Sequence, residues 1–300
     1  MGDYLNPSSP RYEKLKKSKV FVDKTDIFEI LNENLGKEKC FFCLSRPRRF
    51  GKSVTAQMIC SYYARCQDSS SLFDNLKIAS FDDYKKHLNQ YDVIFINMTD
   101  EFNDSGCDVN KMIASITKSV VDELKEAYPQ IDFKSPDILH KSLKEVFSQS
   151  KVPFVIVIDE WDCIMREKKE DPESLKQYLE WLKAIFKDKP YVGLAYMTGI
   201  LPIKKYGSHS ALNMFAEYSM TEPLNLGQYI GFTEDEVKDI CKQHDVAFNQ
   251  MQQWYDGYSF KDVPHIYNPN SVVNAATYKK YISYWTKTET FESLQEYIDM

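Results

Sequence analysis

The sequence predicts an α/β fold with a mainly parallel sheet, followed by a smaller, mostly helical C-terminal part. Two observations carry this expectation. Short apolar runs rich in β-branched and aromatic residues alternate with longer segments of helical periodicity, as in strands joined by crossover helices. Beyond residue 225 the strand signals fade and the chain reads as helical and rich in Tyr. The expected division is therefore 1–225 for the α/β core and 226–300 for the helical part.

Strands are expected over Cys40 to Leu44, Val93 to Asn97, Phe154 to Ile158 and Val192 to Met197, with a weaker fifth at Tyr218 to Met220. Between them, Ile113, Ile116, Val120 and Leu124 recur at helical spacing and stop before Pro129. Leu175, Tyr178, Leu179, Leu182, Ile185 and Phe186 form a second stripe, with Asp171 as N-cap and Pro172 in the first turn. Thr233 and Glu236 have capping-box spacing. Asp256-Gly257 reads as a hairpin turn between aromatic strands, and Asn268-Pro269 as a helix cap followed by Pro at the first helical position.

Bulk properties narrow the function. Hydrophobic residues make up 43% and charged residues 27%, the balance of a soluble globular protein. The longest apolar run, Phe154 to Ile158, is far short of a bilayer span, and the N-terminus has no apolar signal core, so an intracellular, cytoplasmic protein without membrane association is expected. Seven cysteines, an odd number, fit reduced thiols. Cys40 and Cys43 form a C-x-x-C, but no second pair has the spacing of a metal site, so they read as part of a buried strand. The net charge of -6 disfavours broad nucleic-acid binding, leaving nucleic acid as an indirect partner at most.

The chemistry begins after the first strand. Arg46-Pro-Arg-Arg-Phe-Gly51-Lys52-Ser53 lies between that strand and a helix expected over Val54 to Cys66, the strand–loop–helix context of a phosphate-binding P-loop. The helix N-terminus offers unpaired N–H groups to phosphate. Gly51 allows close approach, Lys52 would bridge the β- and γ-phosphates, and the Ser53 hydroxyl would bind Mg²⁺. Arg46, Arg48, Arg49, Phe50, Gly51, Lys52, Ser53 and Val54 are the expected cofactor-binding residues, and the fold class sharpens to a three-layer P-loop NTPase. Arg46 stands where the standard pattern has Gly. Of the six arginines, Arg11, Arg46, Arg48, Arg49, Arg65 and Arg166, half fall in this loop.

The third strand ends in Asp159-Glu160. Asp159 is expected to hold the Mg²⁺ water shell and Glu160 to act as general base. The long interval from the P-loop accommodates a further strand, so this strand is not expected beside the P-loop strand. Thr198, ending the fourth strand, occupies the sensor position between the two motifs and is read as a third catalytic residue, bonded to the γ-phosphate or the attacking water. Asn97 is a candidate for holding Glu160 in an inactive rotamer, with turn chemistry as the alternative.

Together these residues resemble the bacterial-type AAA-ATPase-like proteins, P-loop ATPases related to the AAA+ and signalling-NTPase groups. The matching pieces are Val22-Asp-Lys-Thr25, Arg46 to Ser53, Ile158-Asp-Glu-Trp-Asp162, Thr198-Gly-Ile200, Gly231-Phe-Thr-Glu-Asp-Glu-Val237, Trp254-Tyr-Asp-Gly-Tyr258 and Tyr267-Asn-Pro-Asn-Ser271. The Arg-for-Gly change is typical of that family. The resemblance implies an ATPase using ATP and Mg²⁺, with Asp23 to Thr25 near the adenine. Such proteins often continue into a PD-(D/E)xK nuclease domain, which would lie beyond residue 300.

The leading expectation is an ATP-hydrolysing switch whose helical part is a lid, coupled to a protein partner or a C-terminal effector domain. The alternatives are an ATP- or ADP-binding module without turnover, and the regulatory half of a nuclease-linked protein. No guanine-reading N-K-x-D string is present, which favours ATP. No arginine follows Arg166, so a downstream arginine finger is excluded within 167–300. Lys204, Lys205 or the loop arginines are the substitutes, and slow turnover is expected.

Overall fold

A computed structural model describes residues 2–203, 211–220, 222–259 and 263–284. Lys204 and Lys205 lie outside the described residues. Five parallel strands, β1 (Phe41–Ser45), β2 (Val93–Asn97), β3 (Phe154–Asp159), β4 (Val192–Gly199) and β5 (Ala216–Tyr218), form one sheet in the order β2-β3-β4-β1-β5. β4 therefore separates the P-loop strand from the strand ending in Asp159, so the two motif strands are not adjacent, as expected, and the interval between the motifs holds edge strand β2. β3 is buried along its whole length, as expected of a strand covered on both faces.

The helices cover the sheet in two layers. On one face Val109–Ala127, Leu139–Ser150 and Pro172–Phe186 bury Ile116, Val120, Leu143, Tyr178 and Leu182. On the other, Ile27–Asn34 and Lys52–Tyr63 bury Phe28, Leu31, Ile59 and Tyr63. Cys43 belongs to the first layer and Cys40 to the second, so the C-x-x-C thiols sit on opposite sides of the sheet and cannot share a ligand. The predicted caps form: Asp171 accepts from the Ser174 N–H, and Asn268 from that of Ser271.

Several boundaries move for local reasons. The helix after the P-loop begins at Lys52 and ends at Tyr63, because Ala64 is extended and pairs with Tyr91. β5 lies earlier than expected, at Ala216–Tyr218, where it pairs with Phe42 to Leu44. Edge strand β2 is covered by the N-terminal segment: Leu5 bridges to Ile94, and the Glu123 carboxylate accepts the N–H groups of Asp3, Tyr4 and Leu5.

The C-terminal lobe contains the helices Glu234–His244, Phe248–Tyr255 and Pro269–Tyr278 and a small antiparallel sheet, β6 (Phe232–Thr233), β7 (Asp256–Tyr258) and β8 (Ile266–Tyr267). The Thr233–Glu236 capping box is made in full. Asp256-Gly257 is not a turn. Asp256 pairs with Tyr267 inside β7, and the register shift before Tyr258 falls at Gly257, where a bulge favours a residue without a side chain. Val20, from the segment before β1, is buried in this lobe's core beside Val237 and Val272. In return, Leu226, Tyr229, Ile230 and Ile266 pack into the core layer beneath the P-loop helix.

Candidate functional site

β1 delivers the chain into the 46–51 loop, and Gly51 at φ 92° turns it into the Lys52–Tyr63 helix. That left-handed conformation suits glycine, and since nothing lies within 4 Å of where a Cβ would stand, the backbone and not crowding sets the preference. The helix has no side-chain cap, so its first N–H groups are left to a ligand. Lys52 is buried, and its ammonium donates to the carbonyls of Arg46 (2.9 Å) and Pro47 (3.1 Å). Burial pushes its pKa below the ordinary lysine value, opposed by the carboxylates of Glu160, Asp159 and Asp162.

The carboxylates arrive from β3. Asp159 is buried and accepts the Thr198 hydroxyl, which reaches across from β4. The chain then passes through left-handed backbone at Glu160, φ 54°, an uncommon conformation for a non-glycine residue. The turn is tied back by the Trp161 N–H to the Thr198 carbonyl at 2.9 Å. Burial raises the Glu160 pKa above the usual carboxylate value, with Lys52 opposing. Glu160 also pairs with Arg166 at 2.9 Å.

A cleft of ≈ 480 Å³ brings together Arg48, Arg49, Gly51, Lys52, Ser53, Asp159 and Glu160, joined by Arg11 and Arg166. Beside it lies a more apolar cavity of ≈ 330 Å³, lined by Val20, Phe21, Val22, Val54 and Met58 and closed by Tyr229, Gly231, Phe232 and Val273. Arg11, Arg49 and Gly51 line both. A polar, arginine-rich space thus adjoins an apolar one across the P-loop, the division a nucleotide's phosphates and base require.

Not every expected residue lines the polar cleft. Arg46 is fully buried, and its Nη1 donates to the carbonyls of Ser45 (2.9 Å) and Tyr218 (2.8 Å), within the sheet. The Phe50 ring packs edge-on against Tyr258 in the C-terminal lobe. Val54 lines the apolar cavity, and Thr198 reaches the cleft only through Asp159. Asn97 caps the Met98–Asp104 helix, accepting from the N–H groups of Thr99 and Asp100, which is the turn-chemistry alternative. The Asp23 carboxylate holds Thr25 and the Lys77 N–H, whereas its neighbour Lys24 lines the apolar cavity. Arg11, from the Pro10–Lys16 helix, is a cleft residue that carries no sequence motif.

The donor set suits magnesium. The Ser53 hydroxyl and the Asp159 carboxylate face one cleft, two hard oxygen donors that leave the remaining positions to water and phosphate oxygens. Among the described residues no cluster of three or more His, Cys, Asp or Glu forms a self-sufficient metal cage.

Comparison with known proteins decides the family. The model described as "Predicted AAA-ATPase" matches residues 10–208, about two thirds of the chain. This chain belongs to the AAA-ATPase-like family. The AAA-ATPase-like assignment carries an ATP-binding, ATPase-type domain with it, and the parallel sheet with β4 between β1 and β3 agrees. An uncharacterized protein from the vnfD 5′ region of Azotobacter chroococcum mcd 1 is 22% identical over 276 residues, 90% of this chain and 51% of that protein. The AAA-ATPase-like chain thus spans about half the length of this relative. A solved structure of Drosophila ORC bound to AT-rich DNA and Cdc6 aligns over 97% of the chain and 83% of its own, at 14% identity and a TM-score of 0.28, too low to bear on the fold. Among the described residues no helix is long and apolar enough to cross a membrane.

Proposed function

We propose that the chain binds Mg·ATP across the two cavities and hydrolyses it, with the C-terminal lobe as the lid that reports nucleotide state. The observation that carries this reading is the convergence of Lys52, Ser53, Asp159 and Glu160 on one cleft that adjoins an apolar cavity. The helix N-terminus, Lys52, Arg48 and Arg49 would neutralise the triphosphate, and the apolar cavity would receive the base. Ser53 and Asp159 would hold Mg²⁺, with Thr198 fixing the Asp159 carboxylate. When bound, Mg²⁺ supplies charge neutralisation at the phosphate oxygens.

Glu160 would take a proton from water as the water oxygen bonds to the γ-phosphorus and the bond to the bridging oxygen breaks, leaving ADP and phosphate. The sequence carries no N-K-x-D string, which favours ATP over GTP. Turnover by residues 1–300 alone would be slow, since 167–300 hold no arginine and the cationic help comes from the cleft's own arginines. The lid would pass the nucleotide state to a protein partner or a further effector region, which supports a switch rather than a metabolic role. Two contacts between the P-loop and this lobe support the reading: Asn268 donates to the Arg48 carbonyl at 3.4 Å, and Phe50 of the P-loop packs on Tyr258.

Turnover measurements test the reading. Glu160→Gln should retain Mg·ATP binding and lose roughly 10²-fold or more in hydrolysis, while Asp159→Ala should weaken the Mg²⁺ dependence of binding. Parent-level turnover by Glu160→Gln would leave only a nucleotide-binding module.

A further inference from the structure

We propose that Arg166 is a positioning residue for hydrolysis, bridging the Glu160 and Asp162 carboxylates and thereby fixing Glu160 over the phosphate cleft by reference to the end of β4. The proposal rests on the reading of Glu160 as the group that takes the proton from water.

The geometry forms a chain of anchors. Asp162 is fully buried, and its Oδ2 accepts the N–H groups of Ile200 (3.1 Å) and Leu201 (2.9 Å), just past β4. Gly199 makes that approach possible, since a Cβ there would lie 2.7 Å from both Asp162 Oδ1 and Trp161 Nε1. The backbone after β4 thus dictates where Asp162 stands. One helical turn on, Arg166 Nε donates to Asp162 Oδ2 at 3.2 Å, and its Nη2 donates to Glu160 Oε2 at 2.9 Å. Two donors of one planar fork therefore set the distance between two carboxylates, which the single ammonium of lysine cannot do in the same way. Glu160 leaves the chain from a left-handed residue, and Arg166 fixes a side chain that its backbone leaves exposed to the cleft. The pair occupies Oε2, leaving Oε1 to accept a proton.

Arg166 thus differs from the cleft's other arginines. Two of its donors are engaged by carboxylates, so its contribution acts through Glu160 rather than by contact with phosphate. Arg65 is committed elsewhere, to Asp92 at 2.8 Å.

Single-turnover hydrolysis and calorimetric Mg·ATP affinity, measured on the full chain, test the proposal. Arg166→Met should lower the single-turnover rate by about tenfold or more, the scale on which a misplaced catalytic group acts, with the ATP Kd unchanged within about twofold. Arg166→Lys, which preserves charge and bulk if the Met variant folds poorly, should fall between the two. In the Glu160→Gln background, Arg166→Met should cost nothing further. A parent rate in both Arg166 variants would reduce the contact to a surface pair. A weakened ATP Kd, or an added loss on top of Glu160→Gln, would mean that Arg166 touches phosphate directly; either result overturns the proposal. A parent-level rate in Glu160→Gln removes the reading of Glu160 itself, and this inference with it.

Discussion

Arg46→Ala separates sheet architecture from ligand binding in the P-loop. Arg46 stands at the position where the standard loop has its first glycine, yet its guanidinium is buried and donates to the carbonyls of Ser45 and Tyr218. Tyr218 ends β5, the edge strand beyond β1, so the side chain ties the edge of the sheet to the strand that delivers the P-loop. A hydrogen bond from a charged donor contributes about 1.5–3 kcal/mol, and stranding buried carbonyls costs a comparable amount. Both bonds come from the same nitrogen, so the lower half of that range applies to each, and the expected loss with the aliphatic stem is about 4 kcal/mol. At about 2–4 °C per kcal/mol, this lowers Tm by roughly 8–16 °C. Calorimetric Mg·ATP affinity below the new Tm should stay within about threefold of the parent. The reasoning is refuted if Arg46→Ala melts with the parent but loses nucleotide, because Arg46 would then act on the ligand.

The C-terminal lobe is open to two further tests. Gly231→Ala forces a side chain onto a residue at φ 107°, with its Cβ 2.6 Å from Ile266 Cγ2 and 3.3 Å from the Phe50 ring; a loss of about 2–4 kcal/mol, from backbone strain and overpacking together, should appear in urea denaturation. Lys24→Met removes the Lys24–Glu236 pair (2.5 Å), in which Glu236 also caps the lobe's first helix by accepting the Thr233 N–H. Losing it should cost about 1–2 kcal/mol of docking, since the pair is largely shielded from solvent and its attraction is offset by the desolvation of Lys24. Amide exchange should then quicken in Glu234–His244 while β1–β4 stay protected, and unchanged exchange would show that the C-terminal lobe is held by packing alone.

Much of this was legible from the chain. The strands β1 to β4 announced themselves as short apolar runs, because buried parallel strands are apolar on both faces, whereas edge strand β5, Ala216–Tyr218, carries Glu217 and overlaps the expected run only at Tyr218. The caps at Asp171, Thr233 and Asn268 were readable because capping is local chemistry with fixed spacing. The interval between Lys52 and Asp159 had room for one further strand, which is β2, and the two motif strands are not neighbours, since β4, from later in the chain, lies between them. What escaped notice depends on long-range geometry. Arg46 looked like a phosphate ligand by its place in the motif, yet its length lets it turn into the sheet and reach Tyr218. Asp256-Gly257 has hairpin-turn composition, but its pairing with β8 places it within a strand. Arg11 reaches the cleft from a helix remote in sequence from both motifs, and no local pattern signals such an approach.

The most direct test of the central claim, that the P-loop cleft is a phosphate site, is Mg·ATP titration of Lys52→Ala against the parent by calorimetry. Lys52 is the buried ammonium facing Asp159 and Glu160, and without a ligand it holds only two carbonyls of its own loop. The account predicts a folded variant that loses affinity by about 100-fold or more, equivalent to about 2.8 kcal/mol. Parent affinity in a folded Lys52→Ala chain would contradict it, because the nucleotide would then bind somewhere other than this cleft.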